Sequence, residues 1–156
     1  MSQFDIPILM LVFNRLELTQ RVLNKVLEIH PKKIYVVADG ARKNKEGEKE
    51  KTEQTRALFE QLPESIEVVK LFRNENFGCR RSISGGISWF FEYEEMGIIL
   101  EDDCLPDLSF FPYSKELLYK YQMNDKVMHI SGDNFQEGII RGDASYYFSI
   151  WTNIWG

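Results

Sequence analysis

The chain has 156 residues, of which 44% are hydrophobic and 28% are charged, so it is long enough for one globular domain with its own core. Its formal net charge of -5 argues against a general affinity for nucleic acid, because phosphate backbones are bound by basic surfaces. The apolar run at residues 6–13 is too short to span a bilayer, and the N-terminus lacks the basic start of a signal peptide. We therefore expect a cytoplasmic protein without a transmembrane segment.

Five strands are predicted along the chain. The run IPILMLVF at residues 6–13 is continuously apolar, which is typical of a strand buried on both faces. Residues 33–40 (KIYVVADG) and 66–72 (IEVVKLF) are rich in β-branched residues and predict the second and third strands. MGIIL at residues 96–100 predicts a fourth strand, and VMHIS at residues 127–131 predicts a fifth.

Helical patterns separate the predicted strands. Residues 14–30 carry apolar side chains at helical spacing and end before a proline. Residues 42–56 are strongly charged and predict a solvated loop that leads into a surface helix ending at Pro63. Two further helical patterns lie within residues 73–95 and 107–124. Strands that alternate with helices predict an α/β fold with right-handed crossovers and a mainly parallel sheet.

The usual glycine-rich motifs for nucleotide binding do not occur. No G-x-G-x-x-G follows the first predicted strand, and no G-x-x-x-x-G-K-[ST] is present. Gly85 and Gly86 lie inside the third helical pattern, where they predict close packing of the helix on the sheet and not a phosphate loop. These absences disfavour a dinucleotide-binding Rossmann site and a P-loop NTPase.

Polar side chains gather just past the ends of the predicted strands. They are Asn14, Arg15, Asp39, Arg73, Glu101, Asp102, Asp103 and Asp133. In a parallel sheet, ligands bind beyond the carboxyl ends of the strands, so this rim is the expected site. The three adjacent carboxylates repel one another and need positive charge nearby. Either the cluster binds Mg²⁺ or Mn²⁺ together with a diphosphate, which Arg15, Arg73, Arg80 and Arg81 would also contact, or it is a solvated acidic loop.

Several of these segments resemble a known family. ILEDDCLPDLSFFPYSKELL, residues 99–118, resembles the strand, the E-D-D cluster and the following helix of N-acetylglucosaminyltransferase I and related GT-A glycosyltransferases. PILMLVFNR, VVADG and RNENFGCRRSISGGISWFF are similar to other nucleotide-sugar-binding segments of that fold, and ISGDNF falls at its serine-to-Asp-Asn stretch. The chain also resembles bacterial sugar transferases, some of which carry the loose label of hemolytic protein. The resemblance covers residues 6–156.

The resemblance implies a Rossmann-like three-layer α/β/α fold of the GT-A type. It also implies a metal-dependent glycosyltransferase with Mn²⁺ or Mg²⁺, a nucleotide-diphosphate sugar as donor, expected to be a UDP-sugar, and a glycan or lipid-linked acceptor. Asp103 would be the direct metal ligand. The nucleotide-sugar site would comprise Asn14, Arg15, Asp39, Arg73, Asn76, Arg81, Glu101 and Asp102. Within it, Asp39 would contact the uracil or ribose, and Asp102 would lie nearer the ribose or the sugar.

The chain departs from the family at its C-terminal end. In the family, the catalytic base and part of the acceptor site follow the aromatic stretch near which this chain ends, so we assign no catalytic residue. We expect residues 1–156 to be the donor-binding part of a single GT-A domain that is incomplete at the C-terminus, with weak transfer or none. The aromatic end favours self-association into a homo-oligomer. The alternative function is a non-catalytic sugar-nucleotide-binding or interaction module of the same fold.

Overall fold

The computed structural model describes residues 3–132 and 143–150. The strands are β1 (Ile8–Val12), β2 (Lys33–Ala38), β3 (Glu67–Phe72) and β4 (Ile98–Glu101), and the helices are α1 (Leu16–Glu28), α2 (Glu48–Ala57), α3 (Cys79–Phe90) and α4 (Phe110–Tyr121). The four strands form one sheet in the order β3-β2-β1-β4, and every pair is parallel. The predicted α/β fold with a parallel sheet is therefore confirmed.

Each face of the sheet has its own apolar core. Along β1, Ile8, Met10 and Val12 pack on one face with side chains of α1 and α4. Leu9 and Leu11 point to the other face and pack with side chains of α3. Successive side chains of a strand alternate between faces, so a strand covered on both sides must be apolar throughout. This double burial explains the unbroken apolar run at the start of the chain.

The strand order reverses beside β1. From β1 the chain proceeds to β2 and then to β3 at one edge, and it returns to the opposite side of β1 to form β4. Leu11 of β1 therefore lies opposite Val37 of β2 on one side and Glu101 of β4 on the other. In open α/β sheets, the connections diverge at such a reversal and leave a crevice at the carboxyl ends of the strands. The crevice lies between the segments that follow β1 and β4.

The predicted fifth strand is wrong. Among the described residues the sheet has four strands, and residues 127–131 are irregular. The amide of Val127 donates to the carbonyl of Asn124 at 2.9 Å in a turn after α4, and Met128 is 92% exposed. A short apolar pattern without a neighbouring strand edge to pair with does not form a strand. Asp133 and the aromatic residues at 151–156 lie outside the described residues.

The charged segment at residues 42–56 is less solvated than predicted. α2 buries Glu48, Thr52 and Thr55, which share one face of the helix. The hydroxyls of Thr52 and Thr55 donate to the carbonyls of Glu48 and Lys51, at 2.9 and 2.8 Å. Because these polar groups are satisfied within the helix, α2 buries a face that has no large apolar side chain.

None of the described helices could cross a membrane. The longest, α1, has 13 residues, which corresponds to a length of roughly 20 Å, against a hydrocarbon core of about 30 Å.

The glycine pair marks the place where α3 lies closest to the sheet. A Cβ on Gly86 would lie 2.9 Å from Cγ1 of Val37, a β-branched side chain of the buried strand β2. A Cβ on Gly85 would meet Nη2 of Arg73 at 3.2 Å, which is the end of a flexible side chain. The predicted close packing is thus confirmed at Gly86.

Gly86→Ala should lower the free energy of unfolding by up to about 2 kcal/mol. The strain of overpacking against Val37 outweighs the gain of roughly 1 kcal/mol in helix propensity. Gly85→Ala is the matched control, and it should stay within about 1 kcal/mol of the parent chain because Arg73 has room to move. Urea denaturation measures both variants, and equal stability of the two would contradict the packing argument.

Candidate functional site

A cleft of about 380 Å³ lies at the carboxyl edge of the sheet, in the crevice beside β1. Its walls come from the ends of β1, β2 and β4 and from the first turn of α3. Six predicted site residues line it: Asn14, Arg15, Asp39, Asn76, Glu101 and Asp102. The structure therefore brings together, around one cavity, side chains from four distant parts of the chain.

Arg15 supplies positive charge to the three adjacent carboxylates. Its Nη1 donates to Oδ1 of Asp102 at 3.2 Å and to Oδ2 of Asp103 at 2.5 Å. The side chain of Asp102 is only 8% exposed, whereas that of Asp103 is 46% exposed. Asp103 is thus half exposed beside the cleft, which Arg15 and the buried Asp102 line but Asp103 does not. The cation that the acidic cluster requires is present within the chain itself.

The cluster still carries more negative charge than Arg15 offsets. Burial raises the pKa of the Asp102 carboxyl, and the guanidinium of Arg15 only partly opposes this effect. Burial also raises the pKa of Glu101, and the carboxylates of Asp103 and Asp102 raise it further. Conversely, the carboxylates of Asp102 and Asp103 raise the pKa of Arg15. A second cation at this corner would therefore be electrostatically favourable.

Asp39 anchors the loop that precedes α3. Its Oδ1 accepts hydrogen bonds from the amides of Gly40 and Phe77, at 3.0 and 2.9 Å. Its Oδ2 accepts from the amide of Gly78 at 3.0 Å and from Nδ2 of Asn76 at 3.1 Å. These four bonds match the acceptor capacity of a carboxylate, so the buried charge is fully satisfied. The expected contact of Asp39 with uracil or ribose stays a prediction beside this structural role.

Arg56, which the sequence analysis missed, ties together the loops after β2 and β3. Its Nη2 donates to the carbonyls of Asp39 and Arg73, at 3.0 and 2.6 Å, and its Cζ lies 5.1 Å from the ring centroid of Phe72. Burial lowers the pKa of this guanidinium. Arg56 belongs to the charged run before residue 57, and nothing in that run distinguishes the arginine that turns inward.

Three of the predicted arginines, Arg73, Arg80 and Arg81, do not line the cleft. Arg73 packs its guanidinium over the ring of Phe77, with Cζ 4.5 Å from the centroid. Arg81 is exposed on the first turns of α3. The arginines in the cleft wall are Arg15 and Arg42 instead. The expected contacts of Arg73 and Arg81 along the path of the base and sugar-phosphate stay predictions.

Glu48 is a second buried carboxylate that the sequence analysis missed. It accepts hydrogen bonds from the amide of Arg42 at 2.8 Å, from Nε and Nη2 of the same residue, and from Nδ2 of Asn14 at 3.1 Å. The hydrogen bonds from Arg42 lower the pKa of Glu48 to about 2. Glu48, Thr52 and Thr55 are spaced so that they share one face of α2, and this spacing could have indicated that Glu48 is buried.

The carboxylates fit a metal that is shared with a ligand. Among residues 3–132 and 143–150, no group of three or more His, Cys, Asp or Glu side chains could hold a metal ion. Mg²⁺ and Mn²⁺, however, are commonly bound through one or two carboxylates while phosphate and water complete the coordination. Asp103 meets this requirement, because its Oδ1 has the thiol of Cys104 at 3.9 Å, a contact too weak to occupy it.

The comparisons with known proteins find no match. No protein-family model matches the chain, and neither a curated protein nor a solved structure does. The functional interpretation therefore rests on the geometry of the cleft and on the resemblance of the short motifs around it.

Asp39→Ala should lower the free energy of unfolding by about 2–4 kcal/mol, because four donors lose their acceptor. Amide exchange at Phe77 and Gly78 should also become faster, since both amides bond to this carboxylate. Asp125→Ala is the control, because Asp125 is exposed and should change stability by no more than about 0.5 kcal/mol. Equal unfolding midpoints and unchanged exchange in both variants would contradict the anchoring role.

Glu48 should make the fold sensitive to acid. Its pKa is lowered from 4.5 to about 2 in the folded chain, so the unfolded chain takes up this proton at higher pH. The contribution of Glu48 is therefore complete above about pH 5 and is lost as the pH falls toward 2. Glu48→Gln removes the titrating group and should flatten this part of the stability profile.

Urea unfolding between about pH 2.5 and 7 measures the profile. Glu60→Gln serves as the control, because Glu60 also pairs with a cation, Lys70, at 2.6 Å, but is mostly exposed. The control profile should run parallel to that of the parent chain. If the Glu48→Gln profile is parallel to it as well, the acid sensitivity has another origin.

Proposed function

We propose that the chain is the donor-binding part of a metal-dependent GT-A glycosyltransferase, with the three-layer α/β/α arrangement of that fold and a UDP-sugar as donor. One observation carries the proposal. Asn14, Arg15, Glu101 and Asp102, which belong to segments that resemble nucleotide-sugar-binding motifs, line the cleft where the strand order reverses, and Asp103 bonds to Arg15 beside it. That is the position at which open α/β sheets bind their ligands.

The size and charge of the cleft support a nucleotide ligand. Its volume of about 380 Å³ falls within the range of small-molecule sites. At one end, Asp39 and Asn76 line the cleft side by side, and we assign the base and the ribose to this end. At the other end, Arg15 and Asp103 combine a half-exposed cation with a half-exposed carboxylate, and we assign the diphosphate to this end.

Arg15 and a divalent cation would share the charge of Asp103. The guanidinium bonds to Oδ2 of this carboxylate, whereas Oδ1 has only the weak thiol contact and would hold the metal. Charge drawn toward the metal would weaken the bond to Arg15, so that Nη1 would become available to a phosphate oxygen while buried Asp102 keeps the side chain in place. A bound Mn²⁺ or Mg²⁺ would offset negative charge on the departing diphosphate. The acceptor hydroxyl would displace this diphosphate from the anomeric carbon of the sugar, with inversion. No described residue is assigned as the base for the acceptor hydroxyl.

The alternative is a module that binds nucleotide sugars without turnover. It would use the same cleft and the same contacts, so the two functions differ only in whether the sugar is released from the diphosphate. A glycan or lipid-linked acceptor, a cytoplasmic location and self-association through the aromatic end stay predictions from the sequence.

Calorimetric titration with UDP, with Mn²⁺ and with a chelator, tests the proposal. The chain should bind UDP more tightly with Mn²⁺. Asp103→Ala should weaken the Mn²⁺-dependent binding by about tenfold or more while the unfolding temperature stays unchanged, because Asp103 is half exposed. Asp125→Ala removes an exposed carboxylate outside the cleft and should bind like the parent chain.

Three outcomes separate the possibilities. Failure of the parent chain to bind UDP under either condition refutes the nucleotide site. Equal affinity with and without Mn²⁺ refutes the metal. Slow release of sugar from a UDP-sugar supports a glycosyltransferase, whereas binding without release supports the non-catalytic module.

A further inference from the structure

One buried carboxylate holds two side chains of the cleft wall. Asn14 and Arg42 line the cleft, whereas Glu48, which both of them contact, does not. Glu48 is 5% exposed and is the first residue of α2, whose buried threonines fix the helix against the protein. Glu48 thus joins Asn14 and Arg42 to helix α2 on the side away from the cleft.

We propose that Arg42 and Asn14 form a recognition pair for the ligand of this cleft, with Glu48 as the residue that positions them. Arg42 contacts an anionic group, and Asn14 accepts a hydrogen bond from a hydroxyl or an N–H. The identity of this ligand as a nucleoside diphosphate rests on the proposed function. The pair itself follows from the contacts behind the cleft.

The contact with Glu48 determines which end of the Asn14 amide is available. An ionised carboxylate only accepts hydrogen bonds, so the group that faces Glu48, at 3.1 Å from Oε1, must be the NH₂ of Asn14. The low pKa of Glu48 keeps it ionised at neutral pH. Because Glu48 lies behind the wall, the carbonyl oxygen Oδ1 is the end left for a ligand. An oxygen acceptor selects a hydroxyl or an N–H and disfavours a phosphate.

Arg42 is held in a similar way. Its Nε and Nη2 donate to Glu48, and its Cζ lies 5.8 Å from the ring centroid of Phe13. The side chain is nevertheless 51% exposed, so the Nη1 edge of the guanidinium remains accessible. A guanidinium already fixed on two sides loses little side-chain freedom when it binds an anion. Arg42 therefore supplies a guanidinium to the cleft. Arg73 and Arg81, which the resemblance placed in the nucleotide-sugar site, do not line it.

The test compares UDP with uridine, both titrated in a chelator so that no metal contributes. Arg42→Gln should weaken UDP binding by about tenfold and leave uridine binding unchanged, because uridine lacks the anionic group. Asn14→Ala should weaken both ligands by the same factor. Glu48→Gln should lower the affinity for UDP relative to the affinity for uridine, as Arg42→Gln does.

A positioning role has a signature that general destabilisation lacks. In the double variant Arg42→Gln/Glu48→Gln, the ratio of UDP affinity to uridine affinity should change no more than in Arg42→Gln alone, because Glu48 acts on the diphosphate through Arg42, whereas its effect through Asn14 weakens both ligands alike. Arg21→Gln is the charge-matched control, since Arg21 is exposed on α1 and does not line the cleft. Thermal unfolding of each variant shows whether it is folded. Should Glu48→Gln fail to fold, Arg42→Gln and Asn14→Ala still decide.

The outcomes distinguish this inference from the proposed function. If the parent chain binds UDP but Arg42→Gln leaves the ratio of the UDP and uridine affinities unchanged, the recognition pair is refuted and the proposed function is not. Strictly additive changes of the UDP-to-uridine ratio in the double variant would refute the role of Glu48. If the parent chain binds UDP with Mn²⁺ but binds neither ligand in the chelator, this inference is refuted and the proposed function is not. If it binds UDP under neither condition, both are overturned.

Discussion

The parallel pairing of β1 with β4 is the constraint on which the cleft depends. It sets Leu11 opposite Glu101, and parallel strands end at the same edge of a sheet. Arg15, four residues beyond Leu11, therefore meets Asp102 and Asp103, which follow Glu101 directly. A shift of one residue in this register would turn the side chains after Glu101 to the opposite faces and separate the guanidinium from its partners.

The burial of Asp102 bears on the two interpretations that the sequence left open. A solvated acidic loop would expose all three carboxylates, and each would be neutralised by water and counterions. Instead Asp102 is nearly enclosed and pairs with Arg15, and only Asp103 is half exposed. Burying a carboxylate beside two others is costly, and a single half-exposed arginine compensates it in part. A buried carboxylate that is only partly compensated destabilises the fold locally, and such arrangements are typical of ligand sites.

The four strands were predictable because each is a short apolar run with a clear polar end. Their carboxyl ends lie within two residues of the predicted ones, so the rim of polar residues was predictable as well. The order of the strands, in contrast, is a tertiary property that no local pattern contains. VMHIS at residues 127–131 illustrates the limit, since its pattern resembles that of β4 but no strand among the described residues pairs with it. Hydrophobic periodicity indicates what a segment can become, and its neighbours determine whether it does.

The charged residues were the hardest to interpret for the same reason. Glu48 and Arg56 lie in a run of similar side chains, and only the contacts of α2 with α1 and with the loops after β2 and β3 separate them from their solvated neighbours. Asp39 was found at its strand end, but its four donors include amides nearly forty residues away along the chain. Contacts between residues so far apart in sequence are set by the fold and not by spacing.

The buried and half-exposed charges of the cleft divide into two groups with different consequences. Asp39, Glu48 and Arg56 use their hydrogen-bonding groups mainly within the chain, and they fix the loops after β2 and β3 and the start of α2. Arg15, Arg42 and Asp103 are about half exposed and keep groups that face solvent. Arg42 is held by Glu48 and Arg15 by buried Asp102, and Arg15 in turn bonds to Asp103, so a ligand would meet contacts whose geometry is already set. Such preorganisation reduces the entropy lost on binding, and it places the determinants of affinity in residues that do not touch the ligand.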